Sequence, residues 1–238
     1  MNRQTSHLAL AAALILALVT PAMADIDGYG RVSIGTDFMF RGVSQTMSRP
    51  AVEVEFCLDH DSGAYGFLWS SNVDFTEDGD PDDGANIEVD LGAGYARAIN
   101  DRLLIDVGVI AYFYPGTESG VDYDYIEWLG AIELDETHRL TIGYSDDVFA
   151  SGEAGIFYAA GSGITLPADL WLGFEVGHYD LDEAYGASYN YAELGIEGGL
   201  QRVEWRVSYH TTSSDAEELF YASTVDDRVA LTLNLPFE

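Results

Sequence analysis

The chain contains no lysine, only one cysteine, and no long apolar run after its first 24 residues. Its ten basic residues are all arginines, set against 41 aspartates and glutamates. So acidic a chain excludes nucleic acid as a partner, because phosphate binding requires a basic surface. A single cysteine, Cys57, excludes an intrachain disulfide, and no neighbouring cation would activate it. The mean hydropathy of +0.00 is compatible with membrane strands, since alternating residues average to neutral.

The first 24 residues have the three parts of a secretory signal peptide. Arg3 supplies the positive charge, residues 8–19 form the apolar run, and Ala22-Met23-Ala24 is a small-residue cleavage site. A retained anchor is the less favoured alternative, because the run is short for a spanning helix and no stop-transfer segment follows. We predict export of the chain, removal of residues 1–24, and a single domain over residues 25–238.

Apolar and polar residues alternate along most of the remaining chain, as they do in strands with one face in oil and one in water. Twelve alternating runs cover approximately residues 28–40, 50–60, 64–75, 86–97, 102–114, 123–134, 138–146, 153–162, 169–179, 188–198, 201–210 and 227–237. Their typical length suits a tilted strand that crosses a bilayer, and their number is even. The pattern predicts an all-β fold, a transmembrane antiparallel up-and-down β-barrel of about 12 strands.

The connections between runs alternate in length. Those after even-numbered runs are mostly short, while those after odd-numbered runs are mostly longer and acidic, as in residues 76–85 and 211–226. Outer-membrane barrels have short periplasmic turns and long external loops. Alternation alone also fits a water-soluble barrel, but twelve strands leave too wide an interior for side chains to fill. Aromatic residues that would form interfacial girdles also favour the bacterial outer membrane: Tyr29, Phe40, Phe75, Tyr95, Phe113, Tyr144, Tyr209 and Phe237.

Residues 33–46, with the sequence SIGTDFMFRGVSQT, resemble the opening of the TorF family of porin-like proteins. Further matches lie in residues 66–75, 112–116 and 125–128. The resemblance implies an outer-membrane channel-like barrel and leaves its solute open. The expected partners are outer-membrane lipid, lipopolysaccharide and the barrel assembly machinery, which would read the C-terminal strand. Outer-membrane barrels commonly end on an aromatic residue, whereas here Glu238 follows Phe237.

The polar faces of the runs supply the candidate pore-lining residues. These are Arg31, Asp37, Arg41, Glu53, Glu55, Asp59, Glu88, Asp90, Asp106, Glu127, Glu175, Glu193, Glu197, Arg202, Glu204 and Arg206. Carboxylates dominate most runs and arginines concentrate on the first and eleventh, which predicts a basic patch opposite an acidic wall. The alternative is that these charges pair across the lumen and close it.

Asp37 and Arg41 are expected on the lumen face at the outer end of the first strand. Four residues along a strand span about 13 Å, so they would not pair directly. We expect Arg41 to bind a carboxylate of the second or the closing strand, or a loop carbonyl. It would then act either as a loop anchor or as part of a constriction.

We therefore predict an outer-membrane channel for passive diffusion of small hydrophilic solutes with a cation bias, and no enzyme activity, cofactor or metal. The acidic residues 78–84 do not form an EF-hand, because Asp83 stands where glycine is needed. The main alternative is a nonconducting barrel with a structural, adhesive or receptor role. Ser208 and His210 lie two apart on one face, which leaves an outer-membrane hydrolase as a less favoured third hypothesis.

Overall fold

A computed structural model describes residues 26–238, so the predicted signal peptide lies outside the described residues. Twelve strands form one closed barrel in which chain neighbours pair antiparallel and the first strand also pairs with the last. They are β1 (Ile26–Gly35), β4 (Ala51–His60), β5 (Ala64–Asn72), β6 (Ile87–Asn100), β7 (Leu103–Phe113), β8 (Tyr125–Leu134), β9 (His138–Ser145), β10 (Gly155–Leu166), β11 (Leu170–Leu181), β12 (Ala187–Leu200), β13 (Val203–Thr212) and β14 (Arg228–Phe237). The predicted fold class is confirmed.

Two further strands, β2 (Met39–Phe40) and β3 (Val43–Ser44), form a small hairpin between β1 and β4. Short helical segments occupy Val148–Ala150, Asp182–Tyr185, Ser214–Glu218 and Ala222–Val225. None of the helices in the described part of the chain has the length and apolar character needed to cross a membrane.

The apolar residues of the alternating runs point away from the barrel axis. The register sets Ile34 opposite Val52 and Val32 opposite Val54, so apolar residues of adjacent strands share the outer face. Ile34 is 59% exposed and Val229 65%. Exposed aliphatic residues in rows around a closed barrel are unfavourable in water and stable in lipid.

The two ends of the barrel differ as the sequence predicts. At one end the connections are tight turns of residues 61–63, 101–102, 135–137, 167–169 and 201–202. At the other end are the longer connections 36–50, 73–86, 114–124, 146–154, 182–186 and 213–227. We call the halves of the lumen near the long and the short connections the outer half and the inner half, since the long loops of such barrels face outside the cell.

An aromatic core lies inside the outer half of the barrel. Tyr112 and Tyr125 stack with ring centroids 4.3 Å apart, and Phe149 packs edge-on against Tyr125. Tyr179 and Tyr189 continue this core on β11 and β12 and are each 1% exposed. The interior that twelve strands would leave open is thus filled here by large side chains and by the β2–β3 hairpin.

Some of the predicted girdle aromatics belong to the interior instead. Phe40 and Phe75 pack against the aromatic core, because the chain between β1 and β4 and the chain after β5 turn inward. The Tyr29 hydroxyl donates to Asp59 on the inward face. Phe113 keeps the outward parity of its partner Val89 but is buried. Exposed aromatic residues of the predicted girdle remain at Tyr95, Tyr144, Tyr209 and Phe237.

Candidate functional site: the barrel lumen

The β2–β3 hairpin, which we call the inserted hairpin, is held inside the outer half by Asp37. The Asp37 carboxylate accepts hydrogen bonds from Ser44 Oγ and Thr46 Oγ1, each at 2.7 Å, and binds Arg228 Nη1 at 2.7 Å. Arg228 is the first residue of β14. The hairpin is thereby tied to the closing strand by a charge-assisted contact.

Gly42 lies at the tip of the inserted hairpin with φ of +82°. A Cβ atom there would lie 2.8 Å from Tyr191 Cβ and 2.9 Å from Thr212 Cγ2. Only glycine combines this left-handed backbone with so close an approach to the barrel wall. The sequence Arg41-Gly42 therefore allows the hairpin to turn inside the lumen.

Arg41 precedes this glycine and makes the most buried ion pair of the described residues. Its Nη2 atom lies 2.6 Å from Glu127 Oε2, and the two side chains are 7% and 1% exposed. The guanidinium carbon lies 3.5 Å from the ring centroid of Phe157, and the Tyr112 hydroxyl donates to Glu127 at 3.3 Å. The Tyr189 hydroxyl donates to the Arg41 carbonyl at 3.1 Å. Because removing one partner of such a pair leaves a buried charge, Arg41 is a strong anchor for the hairpin.

The prediction for the position and partner of Arg41 is wrong. The barrel strand β1 ends at Gly35, five residues before the predicted end of the first run at 40, so Asp37 and Arg41 lie in the connection and not on strand one. The hairpin carries Arg41 into the lumen to reach β8, the sixth strand of the barrel, and not the second or the closing strand. The alternating apolar residues Phe38 and Phe40 imitate a continuing strand but bury themselves in the interior core.

The inner half carries charge pairs that follow the wall. Arg31 binds Glu55 at 2.8 Å between adjacent strands, and Arg139 binds Asp106 at 3.0 Å across β8. Arg206 binds Glu197 at 2.5 Å and also contacts Glu193 on the same neighbouring strand. The side chains of these pairs, including Glu133 beside Arg139, are 19% to 45% exposed. Water therefore reaches the charged side chains of the inner half.

Most of the predicted pore-lining residues share the inward parity of their strands. These are Arg31, Glu53, Glu55, Asp59, Glu88, Asp90, Asp106, Glu127, Glu175, Glu193, Glu197, Glu204 and Arg206. Arg202 does not, because β13 begins at Val203 and Arg202 lies in the exposed turn before it. Arg31 and Arg206 are each bound by a neighbouring carboxylate, so the arginines of strands one and eleven do not form the predicted basic patch.

Ser208 and His210 do meet inside the outer half. Ser208 Oγ lies 2.8 Å from His210 Nε2, and both residues are 6% exposed. His210 Nδ1 is 3.8 Å from Glu193 Oε2, too far for a hydrogen bond. The arrangement has the residue types of a catalytic triad, but its nucleophile is sealed among packed side chains.

Above the aromatic core is a cavity of about 550 Å³, which we call the outer cavity. The sequence does not predict it, because much of its wall comes from loops that carry no periodic pattern. The only signal was the concentration of aromatic residues in those loops. Its aromatic lining consists of Phe40, Phe75, Tyr114, Tyr123, Phe149, Tyr179, Tyr185, Tyr189, Phe220 and Tyr221.

Two hydroxyl groups secure the cavity walls. The Tyr123 hydroxyl donates to Asp83 and the Tyr221 hydroxyl to Asp80, each at 2.9 Å. Burial and the hydrogen bond to Asp83 raise the pKa of Tyr123 to about 12, so this side chain remains a neutral donor at physiological pH. The aromatic walls are therefore fixed by the acidic loop 73–86.

A closed antiparallel barrel of twelve strands with an apolar exterior, a charged lumen and long loops at one end defines a porin-like barrel of the bacterial outer membrane. The KdgM porin matches with a TM-score of 0.53 and 8% identity, over 88% of this chain and 98% of that one. The NanC porin matches with a TM-score of 0.54 and 10% identity, over 89% of this chain and 100% of that one. A structure of the KdgM porin in complex with disordered oligogalacturonate gives a TM-score of 0.51 at 7% identity, over 89% and 99% of the two chains. Such low identities show a common fold.

The sequence of the chain also matches a known protein family. The chain belongs to the family of bacterial proteins of unknown function called Gcw_chp, whose model matches residues 25–235. No curated protein sequence matches the chain.

Proposed function

We propose that the protein is an outer-membrane channel for passive diffusion of small hydrophilic solutes, and that the inserted hairpin is its constriction. The observation that carries this proposal is the contrast within one lumen. The inner half is hydrated and charged, whereas the outer half is closed by a segment attached through two ion pairs, Arg41 to Glu127 and Asp37 to Arg228. A nonconducting scaffold has no need of a hydrated, charged half.

We further propose a preference for cations. Among the strand residues of inward parity, carboxylates outnumber arginines, and lysine is absent from the whole chain. Oligogalacturonate, which is in complex with the KdgM porin in one of the matching structures, is a polyanion. A lumen with excess carboxylates repels polyanions, so we do not expect this chain to pass a solute of that charge.

The test is conductance of the refolded protein in a planar bilayer under a salt gradient. We expect cation-selective conductance that rises at least severalfold in Arg41→Ala, because loss of the anchor releases the hairpin. Arg102→Ala is the matched control, since Arg102 pairs with Asp135 in an exposed turn away from the lumen. The channel proposal fails if neither the unaltered protein nor Arg41→Ala conducts, and an anion-selective reversal potential refutes the charge preference.

The second candidate is a nonconducting barrel with a structural, adhesive or receptor role. The observation that favours it is the buried state of the inward residues at the outer ends of the strands, including Ser33, Ala51 and Ala230. Conductance that stays absent in Arg41→Ala, with an intact barrel by circular dichroism, would support this candidate.

We propose that the protein is not an enzyme, because a hydrolase would need an accessible Ser208. The outer cavity is not lined by Ser208 or His210. If lipid hydrolysis is detected, it should be unchanged in His210→Ala, and its loss in that variant would establish the third hypothesis.

We also propose a family kinship, a cleaved signal peptide and three membrane partners for the protein. The match of residues 33–46 supports kinship with the TorF proteins, and the pattern of residues 1–24 supports a cleaved signal peptide. The lipid-facing exterior fits outer-membrane lipid, and we propose lipopolysaccharide and the barrel assembly machinery as further partners. N-terminal sequencing of the mature protein from outer membranes would test the cleavage site.

A further inference from the structure

We propose that the outer cavity is a binding site for an organic cation, that is, an ammonium group carried on a small aromatic or aliphatic skeleton. The proposal does not depend on conduction, because the cavity opens between the outer loops above the closed part of the lumen.

The size and shape of the cavity suit a small molecule. Its volume of about 550 Å³ falls within the range of roughly 300 to 1,000 Å³ that is typical of ligand pockets. Its walls come from separate connections, represented by Phe75, Tyr123, Phe149 and Phe220. These rings converge from several loops around a concave space. Neighbouring rings pack edge-on, as Phe75 does with Tyr123.

The charge of the cavity selects the class of ligand. Its charged lining residues are Asp74, Glu217 and Glu218, and none of the arginines or histidines that the structure describes lines it. Arg49 binds Asp74 at 2.5 Å, but within residues 26–238 the side chains of Glu217 and Glu218 have neither an ion pair nor a hydrogen bond. Two free carboxylates at an aromatic wall repel anions and attract cations.

The aromatic walls add an attraction of the same sign. Ring faces attract cations through their quadrupole, most strongly where water is excluded. The protein already uses two lining rings in this way, since the Arg41 guanidinium carbon lies 4.5 Å from the ring centroids of both Phe40 and Tyr179. That guanidinium does not repel a bound cation strongly, because Glu127 neutralises it at 2.6 Å.

The test compares three probes of similar size and different charge on the folded protein in non-ionic detergent. They are (3-hydroxyphenyl)trimethylammonium, its uncharged isostere 3-tert-butylphenol, and the anion 3-hydroxybenzenesulfonate. By isothermal titration calorimetry, we expect the cation to bind about tenfold more tightly than the neutral isostere, and the anion not to bind. Equal affinity for cation and neutral isostere, or no binding of the cation at millimolar concentration, would overturn the proposal.

Two sets of variants locate the binding. Glu217→Gln/Glu218→Gln should weaken binding of the cation at least threefold and leave the affinity for 3-tert-butylphenol unchanged. Glu118→Gln/Glu183→Gln removes the same charge from exposed outer-loop positions that do not line the cavity, and should have a smaller effect. Tyr185→Ala removes an exposed lining ring and should weaken binding of the cation about fivefold. Tyr185→Phe keeps the ring and should bind the cation as tightly as the unaltered protein. If both double variants weaken binding of the cation equally, the cation is attracted by the overall negative charge of the outer loops and not by the cavity. The inference is then wrong.

Discussion

The outer and inner halves of one lumen stabilise their charges by different means. In the outer half, Arg41 and Glu127 are sealed among aromatic rings, so each depends on the other for solvation. In the inner half, Arg206 lies between Glu193 and Glu197 and remains 35% exposed, so water can replace either partner. The same residue types therefore form a fixed anchor in one half and an adjustable wall in the other.

The largest expected effect is at the buried pair. Glu127→Ala should lower the free energy of unfolding by about 3 to 5 kcal/mol, because it leaves the Arg41 charge buried without a partner. Urea unfolding in detergent, followed by circular dichroism, measures this loss. The double substitution Arg41→Met/Glu127→Leu should recover most of it, since a packed apolar pair needs no charge compensation. A double variant as unstable as Glu127→Ala would contradict this account.

Gly42→Ala should have the next largest effect, a loss of about 1 to 3 kcal/mol from strain at positive φ and from contact with Tyr191 and Thr212. The released hairpin should also become sensitive to added protease. Gly79→Ala is the matched control, because φ is +109° there and nothing lies within 4 Å of the added Cβ. The barrel wall has no part in holding the hairpin if both variants are cleaved at the same rate.

A smaller effect is expected in the inner half. Arg206→Ala should cost roughly 1 kcal/mol or less, because the pair is partly solvated. It also frees Glu193 and Glu197, so the reversal potential should shift toward stronger cation preference if the barrel conducts. A loss of stability as large as that of Glu127→Ala would remove the distinction between the two halves.

The smallest effect is expected at the exposed turn pair of Arg102 and Asp135. The hydrogen bond from Arg102 lowers the pKa of Asp135. A carboxyl group with a depressed pKa in the folded state stabilises that state above its unfolded pKa, and the contribution disappears as the pH falls through the lower, folded value. Asp135→Asn should therefore differ from the unaltered protein only slightly at neutral pH and not at all in strong acid. Unfolding midpoints at several pH values would check this.

The barrel could be predicted from sequence because its two signals are local. Alternation with a period of two defines each strand, and tight turns such as residues 201–202 separate them. The inserted hairpin could not be predicted in this way. Phe38 and Phe40 continue the alternation of β1, and an interior aromatic core accepts the same residues as a lipid-facing surface. Asp37 binds Arg228 on the closing strand, and the alternation of residues gives no indication of this ion pair.

The site was less predictable than the fold because its contacts join distant parts of the chain. Arg41 and Glu127 are 86 residues apart, and no spacing rule connects them. Most lumen carboxylates follow from parity, whereas Arg202 was misplaced by one residue at a strand boundary. The outer cavity depends on how separate loops pack over the barrel, which a single sequence does not encode in any periodic form.

The contact between Asp37 and Arg228 also has a consequence for the order of assembly. Arg228 belongs to the strand that is synthesised last, and Asp37 follows the strand that is synthesised first. The hairpin therefore gains its second attachment only when the two ends of the sheet meet. A barrel still open along this seam lacks the attachment, so the hairpin has both of its ion pairs only in the closed barrel.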